Sequence, residues 1–125
     1  MSRDKRMTCI LCPRGCTITA TMDDDAHDAI TIDGAGCAKG NLWAEKEVSC
    51  PMRTLCTSIR VTGSSVPLVS VKTDCEVPLE SIPEIMKEIR SCCIDAPVSL
   101  GQVLMHNPAG IPCKIVATRS TELVL

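Results

Sequence analysis

Cys9, Cys12 and Cys16 crowd into eight residues, and a fourth cysteine, Cys37, follows after a gap of twenty. This C-x2-C-x3-C-x20-C pattern constrains the fold more than any other feature of the chain. Thiolates are soft, charged ligands that suit zinc and iron–sulfur clusters. A C-x2-C turn wraps two sulfurs around one centre, and Pro13-Arg14-Gly15 lets the third sulfur reach it. Pro13 fixes one dihedral there, and Gly15 permits a close backbone approach. For Cys37 to join them, the intervening chain must go out and come back. Residues 17–22 alternate with β-branched side chains and predict a strand; residues 29–32 predict a second. Asp23-Asp24-Asp25 predicts the turn between them, and Asp33-Gly34 ends the second strand. This makes a hairpin with the three-cysteine loop on one side, and Gly34 and Gly36 allow the sharp return to Cys37. Residues 1–6 are polar and read as a frayed end.

Beyond Cys37, residues 40–47 hold helix formers with apolar spacing at Leu42, Trp43 and Val48, which predicts a short helix ending before Pro51. Residues 49–52 read as a linker, so the chain divides into a cysteine-rich lobe, 1–50, and a second lobe, 51–125. In the second lobe, 57–62 and 66–71 predict strands around the turn Gly63-Ser64-Ser65, and Pro67 suggests an edge position or a bulge. Ile82, Ile85, Met86 and Ile89 fall at i, i+3, i+4 and i+7, one apolar helical face. Ser81 with Glu84 matches a capping box, Pro83 is tolerated in the first turn, and Asp95-Ala96-Pro97 ends the helix. Residues 98–105 and 114–118 then predict strands around Asn107-Pro108-Ala109-Gly110. The order of strands, helix and strands gives an α+β fold: a hairpin with a short helix, then antiparallel strands with one main helix.

The chain has no Phe and no Tyr, and Trp43 is its single aromatic. Its core must come from Ile, Val, Leu, Met and Cys, which bury less area each than aromatics, so a metal crosslink would compensate for a thin N-terminal core. With a net charge of −2 and no Lys/Arg run, nucleic-acid binding is not expected. No apolar h-region follows the basic start, and no run of about 18 apolar residues exists, so neither export nor a membrane span is expected and the chain reads as cytoplasmic. In that setting ten cysteines favour thiols and metal thiolates over five disulfides.

Four thiolates suit a tetrahedral zinc or a cubane. Structural zinc sites more often use two C-x2-4-C knuckles, whereas three ligands on one loop with a distant fourth favour a [4Fe–4S] cluster. Zinc is the alternative, and a redox dithiol at Cys9 and Cys12 is the third reading, weakened by the lack of a βαβ pattern around the pair. Arg14 and Lys39 are cations beside the cysteines; next to a net negative cluster they would stabilise its reduced state. Cys50, Cys56, Cys75 and Cys113 read as buried small hydrophobes, and Cys92-Cys93 as a vicinal pair at a helix end. His27 reads as a solvated loop residue that could replace one zinc ligand, and His106 has no visible partner. Asp23, Asp24, Asp25 and Asp28 lack the glycine and final glutamate of a calcium loop and read as a solvated hairpin tip. No catalytic triad, nucleotide loop or paired carboxylate site can be assembled, so the chain is not expected to be an enzyme on its own.

Cys9-Ile10-Leu11-Cys12-Pro13-Arg14-Gly15-Cys16 with Cys37-Ala38-Lys39-Gly40 resembles the N-terminal [4Fe–4S] lobe of molybdopterin oxidoreductases, in which a lysine at the position of Lys39 helps electrons pass between cluster and pterin. The chain is too short for pterin-binding domains. Over nearly its whole length it resembles the CxxC-motif family known as domain of unknown function 1667. The resemblance is carried by residues 8–16, Cys37-Ala38-Lys39-Gly40, Pro51-Met52-Arg53-Thr54-Leu55, residues 67–73 and Ile115-Val116-Ala117-Thr118-Arg119. That family has four cysteines in this layout, is suspected of binding metal, and tends to be encoded beside FAD-dependent dehydrogenases of the glycerol-3-phosphate type. The resemblance implies a small redox accessory subunit with such a dehydrogenase as partner. It does not account for the six further cysteines.

Overall fold

Alternation in the N-terminal part does produce strands, and more of them than a hairpin. In the computed structural model, which describes residues 2–24 and 29–124, β1 (Ser2–Thr8), β2 (Thr17–Asp23) and β3 (Ala29–Asp33) form an antiparallel sheet in the order β1-β2-β3. Residues 2–6 are therefore paired strand, not a frayed end. β1 matches β2 residue for residue, from Ser2 opposite Asp23 to Thr8 opposite Thr17. Its polar side chains misled because a strand on a sheet edge needs only backbone partners, and charge on an edge discourages further pairing. Asp25, His27 and Asp28 lie outside the described residues.

In β2, Ile18 and Ala20 are buried. Helix α1 (Ala38–Ser49) spans the predicted stretch and buries Gly40 and Ala44. The core of this unit is small: Cys9, Ile18 and Ala44, with Met7, Ile32 and Trp43 among the side chains packed around them.

The chain divides into compact units at Met1–Pro51 and Met52–Leu125. The division falls within the expected linker, whose last residue opens β4 (Met52–Arg53), a strand that later pairs with β7 (Val77–Pro78). β5 (Cys56–Thr62) and β6 (Leu68–Thr73) form the predicted hairpin. Pro67 precedes β6 and only accepts a bond, from the Val61 N–H at 2.9 Å, so β6 sits in the middle of the sheet without losing a ladder bond. Thr73 is buried because it clamps the strand entry: its Oγ1 accepts from the Leu55 N–H at 3.0 Å, and its N–H donates to the Leu55 carbonyl at 2.9 Å.

Helix α2 (Ile82–Ser91) follows a 3-10 turn at Leu79–Ser81 and buries Ile85 and Ile89, the predicted face. The capping box does not form. Ser81 already has helical dihedrals (φ −86°, ψ −11°) because the 3-10 turn feeds directly into the helix, and its side chain makes no capping bond. The helix ends at Ser91, earlier than Asp95-Ala96-Pro97. Cys92 turns extended and leads into β8 (Cys93–Asp95), which runs parallel to β5, with Arg60 opposite Cys93. β9 (Val103–His106) and β10 (Lys114–Ala117) complete a five-stranded sheet in the order β8-β5-β6-β10-β9. Of the predicted strand 98–105, only Val103 onward is β9; Val98 makes a lone bridge to Thr121. Ile59, Val69, Val71, Ile85, Ile89 and Ile115 are at most 1% exposed and anchor the core. They are all β-branched, the shapes that pack on a pleated face. The fold is α+β. No helix among the described residues is long and apolar enough to cross a membrane.

Candidate metal centre

The N-terminal sheet delivers four sulfurs to one end. β1 stops at Thr8 and β2 starts at Thr17, directly opposite, so residues 9–16 form a loop at the tip of that hairpin. The Cys9 N–H donates to the Cys16 carbonyl at 2.8 Å, which closes the loop base and sets these two cysteines side by side. β3 runs back along β2, with Asp33 opposite Thr19, and so finishes near the same end. There the chain turns at Gly34 (φ +89°) against the backbone of β2; a Cβ on Gly34 would collide with the Thr17 carbonyl oxygen. Cys37 follows as the N-cap of α1, with an extended backbone (φ −158°) and no side-chain capping bond. Its carbonyl accepts from the Asn41 N–H at 3.3 Å. A residue at this position usually spends its side chain on the helix; Cys37 leaves its sulfur available.

Cys9, Cys12, Cys16 and Cys37 line one cavity of about 210 Å³, together with Arg14, Lys39, Leu11, Ile18, Gly36 and Gly40. All six site residues named from the sequence therefore meet in one place. Cys9 is buried, Cys16 half-buried, and Cys12 and Cys37 exposed. Gly36 keeps the wall thin: a Cβ there would stand 3.1 Å from both the Cys16 Sγ and the Arg14 Nη1. A Cβ on Gly40 would lie 3.8 Å from the Cys9 Sγ.

Two physical features bear on what the cavity suits. First, the cavity is far larger than the roughly 10–15 Å³ that seats one water-sized body. Second, the first turn of α1 contains Lys39 and no acid. A cation at a helix N-terminus opposes the macrodipole. An anionic centre in the cavity would turn both Lys39 and the helix end into favourable partners.

The other sequence-derived candidates scatter. Cys50 and Cys56 are exposed, not buried: Cys50 caps the end of α1 and Cys56 opens β5. Cys92 packs half-buried on the second core while Cys93 is exposed on β8, and they are not joined. His106 is exposed at the end of β9. Cys113 is buried as expected, but Cys75 is exposed. What the sequence reading missed is that Asp74, Cys75 and Cys113 place their ligand atoms within 4.8 Å of one another. The only sequence signal for this is the pairing register of two strands far apart in the chain.

A family model described as "Protein of unknown function (DUF1667)" matches residues 38–119. The match starts one residue after Cys37, so the four cysteines lie outside it. An NMR structure of a Clostridium perfringens protein is similar over 58% of this chain and 86% of its own, with a TM-score of 0.54 and 19% sequence identity; at that identity the likeness speaks for the fold alone. No curated protein matches the chain.

Proposed function

Because the chain belongs to the family described as protein of unknown function DUF1667, its chemistry must be argued from its own residues, and we propose that it is a small redox accessory protein carrying an iron–sulfur cluster on Cys9, Cys12, Cys16 and Cys37. The observation that carries this reading is the convergence of the four cysteines, Arg14 and Lys39 on one cavity. Three ligands on one loop with a distant fourth, around a cavity of about 210 Å³, favour a cubane over a single zinc. Such a cluster, when bound, supplies one-electron transfer. The chain's residues would hold it with four thiolates, with Ile18 in the cavity wall and Arg14 and Lys39 as cations beside its negative charge.

The electron partner in this reading is a flavin-dependent dehydrogenase of the glycerol-3-phosphate type, as the family resemblance implies. A carrier must bring its centre close to a partner's surface. Cys12 and Cys37 are exposed at the cavity, and Ile10 and Leu11 beside them are 73% and 51% exposed, an apolar rim suited to docking.

Anaerobically prepared protein should be brown, hold about four irons and four sulfides per chain, and bleach on reduction with dithionite. A colourless chain with one zinc on these cysteines would instead make the N-terminal unit a zinc-stabilised binding module. Dithiol reductase activity lost in Cys9→Ser would point to thiol chemistry.

Lys39→Met provides a test with two readouts of opposite sign. In the loaded protein, removing the cation should lower the cluster's reduction potential in a potentiometric titration. In the metal-free chain it should stabilise α1 by about 0.3–1 kcal/mol in thermal unfolding, because the opposed dipole is relieved. An unchanged potential would mean that Lys39 does not tune the cluster.

A further inference from the structure

The second unit brings together three further ligands. β6 and β10 pair with Ile115 opposite Thr73. Beyond β6, the same antiparallel register continues: the Asp74 N–H donates to the Lys114 carbonyl at 3.0 Å, and the Lys114 N–H donates to Asp74 Oδ1 at 2.8 Å. One step further, Cys75 and Cys113 come level. The carboxylate of Asp74 and the two sulfurs lie within 4.8 Å of one another.

We propose that Asp74, Cys75 and Cys113 form a mononuclear site for a thiophilic divalent cation of the zinc class, with its fourth position open to water. Two thiolates and one carboxylate are donors that zinc accepts. Zinc bonds of about 2.0–2.3 Å put such donors about 3.6–3.8 Å apart, so the three need to close by only about an ångström. The supporting contacts are in place. Lys114 fixes one carboxylate oxygen, as ligating carboxylates generally require, and leaves Oδ2 for the metal. Cys113 is held at both ends: its N–H donates to the Ile111 carbonyl at 2.8 Å, and its carbonyl accepts from the Asn107 N–H at 2.9 Å. Cys113 forms a buried floor, while Cys75 and Asp74 are exposed and leave an entry path.

The electrostatics agree with this geometry. Burial, then the neighbouring Cys75 and Asp74, push the Cys113 thiol up to about 11. With no cation the Cys113 thiol keeps its proton at neutral pH. Binding exchanges two S–H bonds for two metal–sulfur bonds and releases two protons to solvent, with no change in oxidation state, so affinity rises with pH.

The test is anaerobic titration of the reduced full-length chain with zinc, competed against a chromophoric chelator, and with cobalt as a spectroscopic stand-in. Wild type should hold one more tightly bound equivalent than Cys75→Ala, release two protons as that equivalent binds, and show a sulfur-to-cobalt charge-transfer band that Cys75→Ala weakens. Asp74→Asn, which keeps the acceptor for Lys114 but loses the charge, should weaken that equivalent by roughly tenfold or more. The chain with Cys9, Cys12, Cys16 and Cys37 all changed to serine should keep it, so this site stands or falls separately from the N-terminal cluster. Cys75 and Asp74 are both exposed, so their variants leave the core undisturbed. Equal zinc content in wild type and Cys75→Ala overturns the proposal. So does recovery of a Cys75–Cys113 disulfide, in place of metal, from the reduced preparation.

Discussion

Cys9→Ser should leave the chain without cluster iron or acid-labile sulfide, while Cys56→Ser keeps both. Cys9 is the one buried member of the four, 7% exposed, and it packs with Ile18 and Ala44 in the small N-terminal core. A serine there removes a thiolate ligand and places a hydroxyl in a dry wall, where an unpaired polar group costs about 1–3 kcal/mol. The loss of affinity should exceed the roughly 10–100-fold seen when groups behind the ligands are changed. Cys56 is exposed on β5 in the other unit and lines no part of the cavity. Iron and sulfide analysis of anaerobic preparations, with absorption spectra, separates the two variants. Full cluster content in Cys9→Ser would falsify the four-cysteine assignment. Cys12→Ser gives the same prediction without the packing penalty, since Cys12 is exposed.

The features legible in the sequence were those written in local periodicity. The alternation of residues 17–22 became β2, and the i, i+3, i+4, i+7 face of α2 became its buried face, because period 2 and period 3.6 act within a few residues. The four-cysteine spacing was legible for the same reason: a loop and a returning hairpin can close only at one end. Features set by partners elsewhere in the chain were not legible. β1 is polar and becomes a strand because β2 offers it a backbone ladder. β8 is three residues long and takes its direction from β5, and Ser81 reads as a cap until the 3-10 turn before it is seen. Cys75 and Cys113 looked like two unrelated core thiols because only the β6–β10 register relates them. The thin N-terminal core follows directly from a chain with no Phe or Tyr, and it makes the return loop to Cys37 unusually sensitive.

Gly34→Ala should be the most damaging change that touches no ligand. Gly34 sits at φ +89°, and its missing Cβ is what lets the chain cross the Thr17 backbone. An L side chain at such a dihedral costs about 1–3 kcal/mol, and backbone overlap adds about as much again. The metal-free N-terminal unit should lose about 3 kcal/mol or more, which for a core of three buried side chains means that its sheet no longer closes on α1. Gly15→Ala is the matched control. Gly15 also has a positive φ, +63°, but its Cβ would meet nothing nearer than the Thr8 Cγ2 at 3.9 Å, so only the dihedral cost of about 1–2 kcal/mol applies. Urea unfolding of both variants followed by Trp43 fluorescence, alongside iron incorporation, tests the pair. Gly34→Ala should lose the cluster although all four cysteines remain, because the displaced loop carries Cys37 away from Cys9, Cys12 and Cys16. If Gly34→Ala proves no less stable than Gly15→Ala and still takes up iron, the close crossing at Thr17 is not what brings the fourth thiol to the centre.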